Sequence, residues 1–484
     1  MADEGQSELL AARRRKLDAL REAGIEPFPH TFAAVEPIAS VRAAHADLAA
    51  GAETLSSHRI AGRLSARRGQ GKMAFLDLVD RSGRLQLQAR VDELGDEGME
   101  RLLSFDLGDL LGVDGVAFMS RRGELTLRVT AFTLLAKSLR PPPDKHHGLS
   151  DVETRFRHRE LDLIANEEVR ELFIARARAI TAIRRFLDDE GFIEVETPIL
   201  QPLYGGAMAR PFTTHHNALD RDLYLRIATE LYLKRLIVGG LERVYEIGKD
   251  FRNEGIDTTH NPEFTMLEWY EAYADYNDVA GRCERLVAYV ASEVGYAGEI
   301  SFAPPWKRET LAGAIAARTG IDVLSVRDRD ALAAEMRSRG YEVPADETWP
   351  QLVDELLSKR VEPTLIQPTF LMDFPVELSP LAKRHRSIEG LVERFEAYAG
   401  GMEIANAFTE LNDPDDQRRR FEEQKRLAAA GDEEAQPYDE AFVQALEQGM
   451  PPTGGIGIGI DRLVMLLTGR RSIREVVLFP ALRD

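Results

Sequence analysis

A polar loop between two strand-like segments constrains the fold more than any other feature of the sequence. Residues 244–247 have the pattern of a strand, and residues 264–272 have the pattern of its antiparallel partner. The loop carries FRNE at 251–254 and HNPEF at 260–264. An arginine at a strand end offers a planar fork for phosphate or carboxylate, and Phe264 offers a face for a base. The pattern predicts an antiparallel sheet with an anion-binding loop, and a surface hairpin with salt bridges is the plainer alternative.

A second segment alternates glycine and isoleucine over residues 454–460 and ends in Asp461 and Arg462. It has neither GK[ST] nor the GxGxxG spacing of a phosphate loop. A strand whose missing side chains let a flat ligand lie against the backbone fits better. The apolar residues after Arg462 predict a helix that begins there.

A third cluster is acidic and consists of Glu396, Glu403, Asn406 and Glu410. The last three lie within one strand or about two helical turns. Paired carboxylates with room for water are the ligands that Mg²⁺ prefers when it also binds substrate phosphates. Apolar residues interleaved at 404–408 indicate partial burial, whereas a solvated acidic face is the alternative.

Short strand-like segments with turn signals between them occupy residues 58–136. Residues 85–91 alternate apolar and polar side chains, and residues 125–129 repeat the alternation. Several short strands in about eighty residues are typical of a small oligonucleotide-binding (OB) barrel. Three consecutive prolines at 141–143 indicate a linker.

The remaining segments are mainly helical or mixed. Residues 8–23 have helical spacing, and their basic run at 13–16 either forms a solvated face or meets a phosphate backbone. A second helix is predicted from residue 167 to a stop at Gly191. Residues 305–365 have a helical, polar pattern without identifiable chemistry.

Composition excludes several classes of protein. The single cysteine, Cys283, permits neither an internal disulfide nor a CxxC metal site. No secretory signal and no apolar run of membrane-spanning length is visible, so we expect a cytoplasmic protein without a membrane partner. The formal net charge of −19 argues against nonspecific nucleic-acid binding by the whole surface. Residues 55–140, with 14 Lys and Arg against 11 Asp and Glu, are compatible with one phosphate-facing side.

Taken together, these segments resemble class II aminoacyl-tRNA synthetases. Residues 251–264 resemble motif 2, residues 454–462 resemble motif 3, and residues 173–198 resemble motif 1, which builds a dimer interface around a proline. Within the class, the chain is similar to bacterial lysyl-tRNA synthetases. The matching stretches include residues 155–164, 205–212, 227–236 and 403–414. The acidic segment and Glu230 favour lysine as the amino acid.

The resemblance implies an α+β fold, with an N-terminal OB-fold β-barrel and a class II catalytic domain built on an antiparallel β-sheet flanked by helices. It implies a cytoplasmic homodimer that activates L-lysine with ATP and Mg²⁺ and transfers the lysyl group to the 3′ end of tRNA(Lys) in protein synthesis. The expected divisions are 1–54 (helical extension), 55–140 (anticodon-binding barrel), 141–157 (linker) and 158–484 (catalytic domain, with 305–365 as a helical insertion between motifs 2 and 3).

The resemblance also implies roles for individual residues. Arg252 is the implied catalytic residue, which holds the α-phosphate of ATP and the carboxylate of lysine. The residues implied to bind ATP are Arg252, Glu254, His260, Phe264 and Arg462. Those implied to bind lysine are Gly206, Glu230, Tyr270, Asn406 and Glu410. The residues implied to bind Mg²⁺ are Glu396 and Glu403. The implied anticodon contacts are Arg63, Phe75, Gln86 and Glu124, although Phe75 is equally compatible with a place in the barrel core.

Three other functions compete with this interpretation. An aspartate- or asparagine-specific synthetase shares the barrel and the catalytic fold. Its pocket, however, should carry a basic residue that binds a carboxylate, or a set of residues that recognises an amide, where this chain offers Glu230 and Glu410. A paralogue that lysylates a protein or lipid is disfavoured because its known short form lacks the barrel. A noncatalytic tRNA- or oligonucleotide-binding protein would not need Arg252 and Arg462 beside the acidic residues.

Overall fold

The computed structural model describes residues 2–69, 71–143, 149–344, 347–429 and 436–482. The chain forms two compact units, Met1–Arg170 and Glu171–Asp484. Within the described residues, no helix is both long enough and apolar enough to cross a membrane.

The first unit contains a closed five-stranded barrel with the strand order β1-β2-β3-β5-β4. Its strands are β1 (Glu53–Arg68), β2 (Met73–Asp80), β3 (Gly83–Arg90), β4 (Leu110–Met119) and β5 (Leu125–Ala136). Its helices are α1 (Ala2–Glu22), α2 (Ile38–Ala44), α3 (Val91–Ser104), α4 (Val152–Arg157) and α5 (Arg159–Ala165). The predicted linker 141–157 contains α4, and its residues 144–148 lie outside the described part.

The barrel follows from the period-two alternation of its strands. Leu76, Leu78, Leu85, Leu87 and Leu127 point inward and are fully buried in one apolar core. Polar neighbours on the same strands face outward. The predicted small barrel is therefore confirmed.

The basic run of α1 is only partly a solvated face. Arg13 is buried and donates to the carbonyl oxygens of Ser138 and Leu107, at 3.0 Å each. Lys16 donates to Asp106 at 2.6 Å, whereas Arg14 and Arg15 are exposed. Half of the run is thus engaged within this unit.

The second unit is built on an eight-stranded sheet with the order β12-β13-β14-β15-β16-β11-β10-β6, accompanied by a small sheet with the order β7-β9-β8. The strands are β6 (Ile193–Glu194), β7 (Leu200–Gln201), β8 (Thr213–His216), β9 (Arg221–Leu225), β10 (Arg243–Phe251), β11 (Glu263–Ala272), β12 (Lys307–Thr310), β13 (Thr369–Pro375), β14 (Leu391–Ala399), β15 (Met402–Thr409) and β16 (Thr453–Gly459). The pairs of the large sheet are antiparallel except for the outermost two, β12 with β13 and β10 with β6.

Helices cover this sheet. They are α6 (Glu167–Asp189), which contains the division between the units, α7 (Glu230–Val238), α8 (Tyr276–Glu293), α9 (Leu311–Thr319), α10 (Arg329–Ser338), α11 (Trp349–Leu356), α12 (Pro414–Ala429), α13 (Glu440–Leu446), α14 (Ile460–Thr468) and α15 (Ile473–Val476). The predicted helix from residue 167, the hairpin strands β10 and β11, and the glycine-rich strand followed by a helix are all confirmed.

One face of the large sheet packs into the main core. Leu267 and Trp269 of β11, with Ile458 of β16, are fully buried there together with residues of α8 and α14. Because successive strand residues point to opposite faces, the intervening residues of β11 and β16 face away from this core. They form the floor of the candidate site.

Residues 305–365 contain α9, α10 and α11, and also β12, which extends the edge of the large sheet. Leu332 and Leu352 from this region pack in a second apolar core with Phe374 of β13. The polar pattern of the sequence therefore describes the outer helix faces, while the inner faces anchor the region to the sheet. Residues 345–346 of this interval lie outside the described part.

Candidate active site

One face of strand β11 runs along the floor of a cavity of about 370 Å³. Its alternate residues Phe264, Met266, Glu268 and Tyr270 all line this cavity. At about 3.3 Å per strand residue, Phe264 and Tyr270 stand about 20 Å apart. The cavity is therefore elongated, with an aromatic residue at one end and acidic residues at the other.

The glycines of β16 face the same cavity. Gly455, Gly457 and Gly459 are paired with Tyr270, Glu268 and Met266, respectively. A Cβ atom at Gly455 would lie 2.1 Å from Oε1 of Glu410 and 2.4 Å from the ring of Tyr270. Glycine at 455 thus leaves room for a carboxylate and an aromatic ring at the acidic end.

The end of the cavity that carries Phe264 is formed by the loop after β10. The guanidinium carbon of Arg252 lies 5.1 Å from the ring centre of Phe264, and the loop is closed by the bond from the Arg252 N–H to the carbonyl of Pro262 at 2.9 Å. The Nε atom of Arg252 is buried and has no hydrogen-bond partner among the described residues. Glu254 lies on the same loop, exposed and on the cavity wall. The site thus holds an available donor beside an aromatic face.

A chain of hydrogen bonds fixes the opposite wall. Arg462 donates to Nε2 of His260 at 3.1 Å and to a carboxylate oxygen of Glu403 at 3.0 Å. Nδ1 of His260 lies 2.8 Å from Asp257. Although partial burial opposes it, hydrogen bonds from Thr259 and His260 lower the pKa of Asp257 to about 2. The ionised Asp257 therefore orients His260, which accepts from Arg462 through Nε2.

Three carboxylates meet at the far end of the cavity, and all are buried: Glu230, Glu268 and Glu410. Glu268 accepts from the hydroxyl of Tyr270 at 3.0 Å and from the backbone N–H of Thr229 at 3.1 Å. Burial, and then the charges of Asp250 and Glu230, raise the pKa of Glu268 to about 8. Such a cluster favours a cationic ligand, because the buried Lys234 supplies only one positive charge to three carboxyl groups.

Gly206 packs against this acidic end. Its φ is +89°, which side chains rarely adopt, and a Cβ atom there would lie 3.0 Å from the Cβ of Glu230. Glycine at this position therefore lets the backbone approach Glu230 closely. A small ligand group at this end of the cavity could contact the Gly206 backbone as well as the Glu230 carboxylate.

A second acidic group lies on β14 and β15. Tyr398 donates to one oxygen of Glu396, and Arg394 donates to the other. Arg394 also donates to the side-chain oxygen of Asn406 at 3.0 Å. Burial raises the pKa of Glu396 to about 7, Arg394 lowers it, and the nearby Glu403 raises it. These carboxylates suit a divalent cation, and in the described part of the chain no group of three or more potential ligands forms a cage. A cation held here would take its remaining ligands from phosphate or water.

The structure brings together nearly all of the residues predicted from the sequence for the second unit. All of them line the cavity except Glu410. Glu410 is fully buried behind Gly455 and forms an ion pair with Lys234.

Two residues of the acidic end were missed at the sequence level. Glu268 could have been found, since the alternation that places Phe264 and Tyr270 on one face of β11 places Glu268 there too. Lys234 was harder to identify, because its four-residue spacing from Glu230 is common on helix surfaces. Its contact with Glu410 could be recognised only once the three-dimensional structure was known.

The barrel residues predicted to contact an anticodon are only partly adjacent. Phe75 is half-buried and lies outside the apolar core of the described barrel. Gln86 lies on the neighbouring strand β3, two residues from the residue that pairs with Phe75, and faces outward as Phe75 does. Gln86 donates to Thr126 of β5 at 2.9 Å, and Glu124 immediately precedes β5. Arg63 pairs with Val79 farther along β1 and donates to the carbonyl of Gly108 at 2.8 Å. The first three form one outward surface, from which Arg63 is separate.

Comparison with known proteins gives two family matches. Residues 151–483 match the family described as tRNA synthetases class II (D, K and N), and residues 58–135 match the OB-fold nucleic acid binding domain. The chain is similar to the lysine–tRNA ligases of Chloroflexus aurantiacus (53% identical), Moorella thermoacetica (53%) and Roseiflexus castenholzii (54%). Each comparison covers 99% of this chain and 99% of the relative.

Proposed function

Because this chain belongs to the class II tRNA synthetases of the aspartate, lysine and asparagine group, we infer that it activates L-lysine with ATP and joins it to tRNA(Lys). It is a ligase with a nucleic-acid-binding OB-fold and a class II catalytic domain. The lysine–tRNA ligases to which it is similar match it over nearly their whole length. The sequence-based prediction of this activity is confirmed.

One observation supports lysine in particular. The acidic end of the cavity is lined by the buried carboxyl groups of Glu230 and Glu268, and Glu410 is buried behind Gly455. Lys234, the cation in contact with this group, is fully buried and paired with Glu230 and Glu410, so it is not free to receive an acidic side chain. Arg394, a cavity-lining cation whose charge lowers the pKa of Glu230, is paired with Glu396 and Asn406. A buried carboxylate left opposite a neutral or acidic side chain would cost about 1–3 kcal/mol or more. The acidic end therefore favours a substrate with two ammonium groups.

The residues of the site are proposed to bind ATP at one end of the cavity and lysine at the other. Phe264 and Arg462 hold adenine between them, with Glu254 and His260 beside the nucleotide. Arg252 binds the α-phosphate and the carboxylate of lysine. Gly206 and Glu230 bind the α-ammonium group, and Asn406 binds the carboxylate. Tyr270 and Glu410 bind the side-chain ammonium group, and Glu268, which accepts from Tyr270, lies beside them.

The reaction requires no covalent bond to the enzyme. The carboxylate of lysine attacks the α-phosphorus in line, which forms lysyl-adenylate and releases pyrophosphate. A terminal ribose hydroxyl of tRNA then attacks the acyl carbon, and AMP leaves. Arg252 opposes the charge that develops on the α-phosphate, so the rate arises from positioning and electrostatic stabilisation.

Glu396 and Glu403 would hold the Mg²⁺ of this reaction, and the bound cation would supply charge neutralisation for the phosphates. Burial is the main cause of the raised pKa of Glu396, and the charge of Glu403 adds to it, so the two carboxylates lie close enough to support this assignment. Tyr398 and Arg394 hold the Glu396 carboxylate in place.

The barrel is proposed to read the anticodon. Phe75 offers an outward aromatic face on which a base can stack, worth about 1–3 kcal/mol. Gln86 and Glu124 lie on the same surface and supply hydrogen-bonding groups. Arg63, which lies apart from this surface on β1, is proposed as a further anticodon contact. The proposed divisions are 55–140 for this barrel, 1–54 for the preceding helical extension, 141–157 for the linker and 158–484 for the catalytic part.

A homodimer is proposed through the segment that resembles motif 1 (residues 173–198) and the two residues that follow it. Ile174, Ile193, Ile199 and Leu200 are all more than 40% exposed, and they fall within a short stretch of the chain. Such a concentration of exposed apolar residues is typical of a protein–protein interface. A cytoplasmic location is proposed because the substrates ATP and tRNA are used there in protein synthesis.

ATP–pyrophosphate exchange, measured with each amino acid separately, tests the proposed function. We expect exchange with lysine and only background exchange with aspartate and asparagine. Exchange with aspartate or asparagine but not with lysine would overturn the specificity. Tight tRNA binding without exchange for any amino acid would instead favour a noncatalytic binding protein.

A further inference from the structure

A lysine of the protein itself occupies the centre of the acidic end. Lys234 is fully buried, and its Nζ atom forms ion pairs with both Glu230 and Glu410. The same Nζ atom lies 5.6 Å from the ring centre of Phe408. Lys234 does not line the cavity, so its ammonium group stands behind the groups that do.

The position of Lys234 connects two subsites. Glu230, at the first position of α7, borders the cavity beside Gly206, where the α-ammonium group is assigned. Glu410 lies behind Gly455 next to Tyr270, where the side-chain ammonium group is assigned. Lys234 is four residues after Glu230 and therefore lies one helical turn below it on the same face of α7. One ammonium group thus touches the carboxylates of both subsites.

Lys234 is the cation that the protein itself places in the cluster. It forms ion pairs with Glu230 and Glu410, whereas Glu268, whose pKa is raised to about 8, is largely protonated at neutral pH. Arg394 of β14, whose charge also lowers the pKa of Glu230, is engaged with Glu396 on its own strand and with Asn406 on β15. Buried charges need a partner, because removing one member of a buried pair leaves the other uncompensated.

We propose that Lys234 is a specificity-determining positioning residue, which holds the carboxylates of Glu230 and Glu410 ionised and aimed so that the two ammonium groups of lysine can bind. This inference rests on the proposed function. Burial raises the pKa of Glu410 well above its ordinary value, whereas the charge of Lys234 lowers it. Burial also raises the pKa of Glu230, again against the charge of Lys234.

The test compares Lys234→Met, which keeps the length and apolar stem but removes the charge, with Lys234→Arg, which keeps a cation. The control is Arg235→Met, the adjacent, exposed cation of α7. In ATP–pyrophosphate exchange, we expect Lys234→Met to raise KM for lysine about 30-fold, equivalent to about 2 kcal/mol, while KM for ATP stays near the wild-type value. Lys234→Arg should recover most of the lysine affinity, and Arg235→Met should not change it.

A pH series distinguishes an electrostatic role of Lys234 from a role in packing alone. Without Lys234, lysine must bind carboxylates that are protonated more often, so its KM should fall as the pH rises. Between about pH 6.5 and about pH 8.5, we expect KM of Lys234→Met to fall more steeply than KM of Lys234→Arg, by up to about tenfold per pH unit. Glu268 and Tyr270 are present in both variants and contribute equally. Parallel profiles, or equal rises in KM for lysine and ATP, would overturn the proposal.

A second pair of variants keeps the proposal testable if Lys234→Met does not fold. Lys234→Met with Glu410→Gln removes both members of the deepest ion pair and is compared with Glu410→Gln alone. We expect about a tenfold higher KM for lysine in the double variant, because Glu230 has lost its partner there. Equal KM values would refute the role of Lys234. A wild-type enzyme without lysine-dependent exchange would refute the proposed function instead.

Discussion

Gly455→Ala is the substitution whose consequence follows most directly from the geometry of the acidic end. The added Cβ atom would lie 2.1 Å from Oε1 of Glu410 and 2.4 Å from the nearest ring atom of Tyr270. Cβ contacts shorter than 3.0 Å essentially do not occur, so the carboxylate must move by about 0.9 Å. Glu410 is fully buried and ion-paired with Lys234, and Tyr270 is 3% exposed, so neither group can yield freely.

The expected loss is large for lysine and small for ATP. A displacement of about 1 Å in a group that positions a substrate can reduce the rate about 100-fold. That loss corresponds to about 2.7 kcal/mol in kcat/KM for lysine, at about 1.36 kcal/mol for each tenfold. Crowding of the core should also lower the free energy of unfolding by about 1–3 kcal/mol. The ATP end lies about 20 Å away along β11 and should keep its KM.

Gly457→Ala is the matched control. Gly457 lies on the same face of β16, two residues away, and its added Cβ would meet the terminal methyl of Met266 at 3.0 Å and Glu268 at 3.7 Å. A flexible methionine end can move aside. ATP–pyrophosphate exchange with varied lysine and varied ATP, together with thermal unfolding, measures both variants. Near-wild-type kcat/KM for lysine in Gly455→Ala, or an equal loss in Gly457→Ala, would show that Glu410 and Tyr270 do not form the lysine end.

Three further predictions address other parts of the site. Arg252→Ala should abolish adenylate formation, because no other described cation lies against Phe264 at the loop; near-normal exchange would remove Arg252 from the reaction. Glu410→Gln should reduce the preference for lysine over norleucine, its analogue with a neutral side chain, by about tenfold or more, and an unchanged ratio of kcat/KM would place Glu410 outside the pocket. The pKa of about 8 for Glu268 means that its carboxyl ionises as the pH rises through that value, and the ionised form attracts ammonium. KM for lysine should therefore fall between about pH 7 and about pH 8.5, and Glu268→Gln should remove that dependence, which a pH series of exchange rates would detect.

Strand patterns explain why so much of the site could be predicted from the sequence. The hairpin of β10 and β11 carries Arg252 and Phe264, and both residues are placed by local alternation and by the loop between the strands. The glycines of β16 likewise indicated an open floor. Periodicity within one strand determines the face on which a residue lies, so these assignments required no knowledge of distant contacts.

Contacts between distant segments explain what the sequence could not show. Lys234 and Glu410 are separated by more than 170 residues, and only the packing of α7 beside the end of β15 brings them together. Asn406 was identified from the sequence, but its partner Arg394 comes from the neighbouring strand β14, and only the pairing of β14 with β15 brings the two together. The polar pattern of residues 305–365 concealed β12 because a short edge strand of charged residues does not show apolar alternation.

The central claim is that buried carboxylates select a substrate with a side-chain ammonium group. A crystal structure with lysine and a non-hydrolysable ATP analogue tests it most directly. We predict that the side-chain ammonium lies beside Tyr270 and the carboxylate cluster, with the α-ammonium beside Glu230 and adenine on Phe264. A bound lysine whose side chain extends into bulk water, with Glu230 and Glu410 left without a contact to it, would show that these carboxylates do not select the substrate.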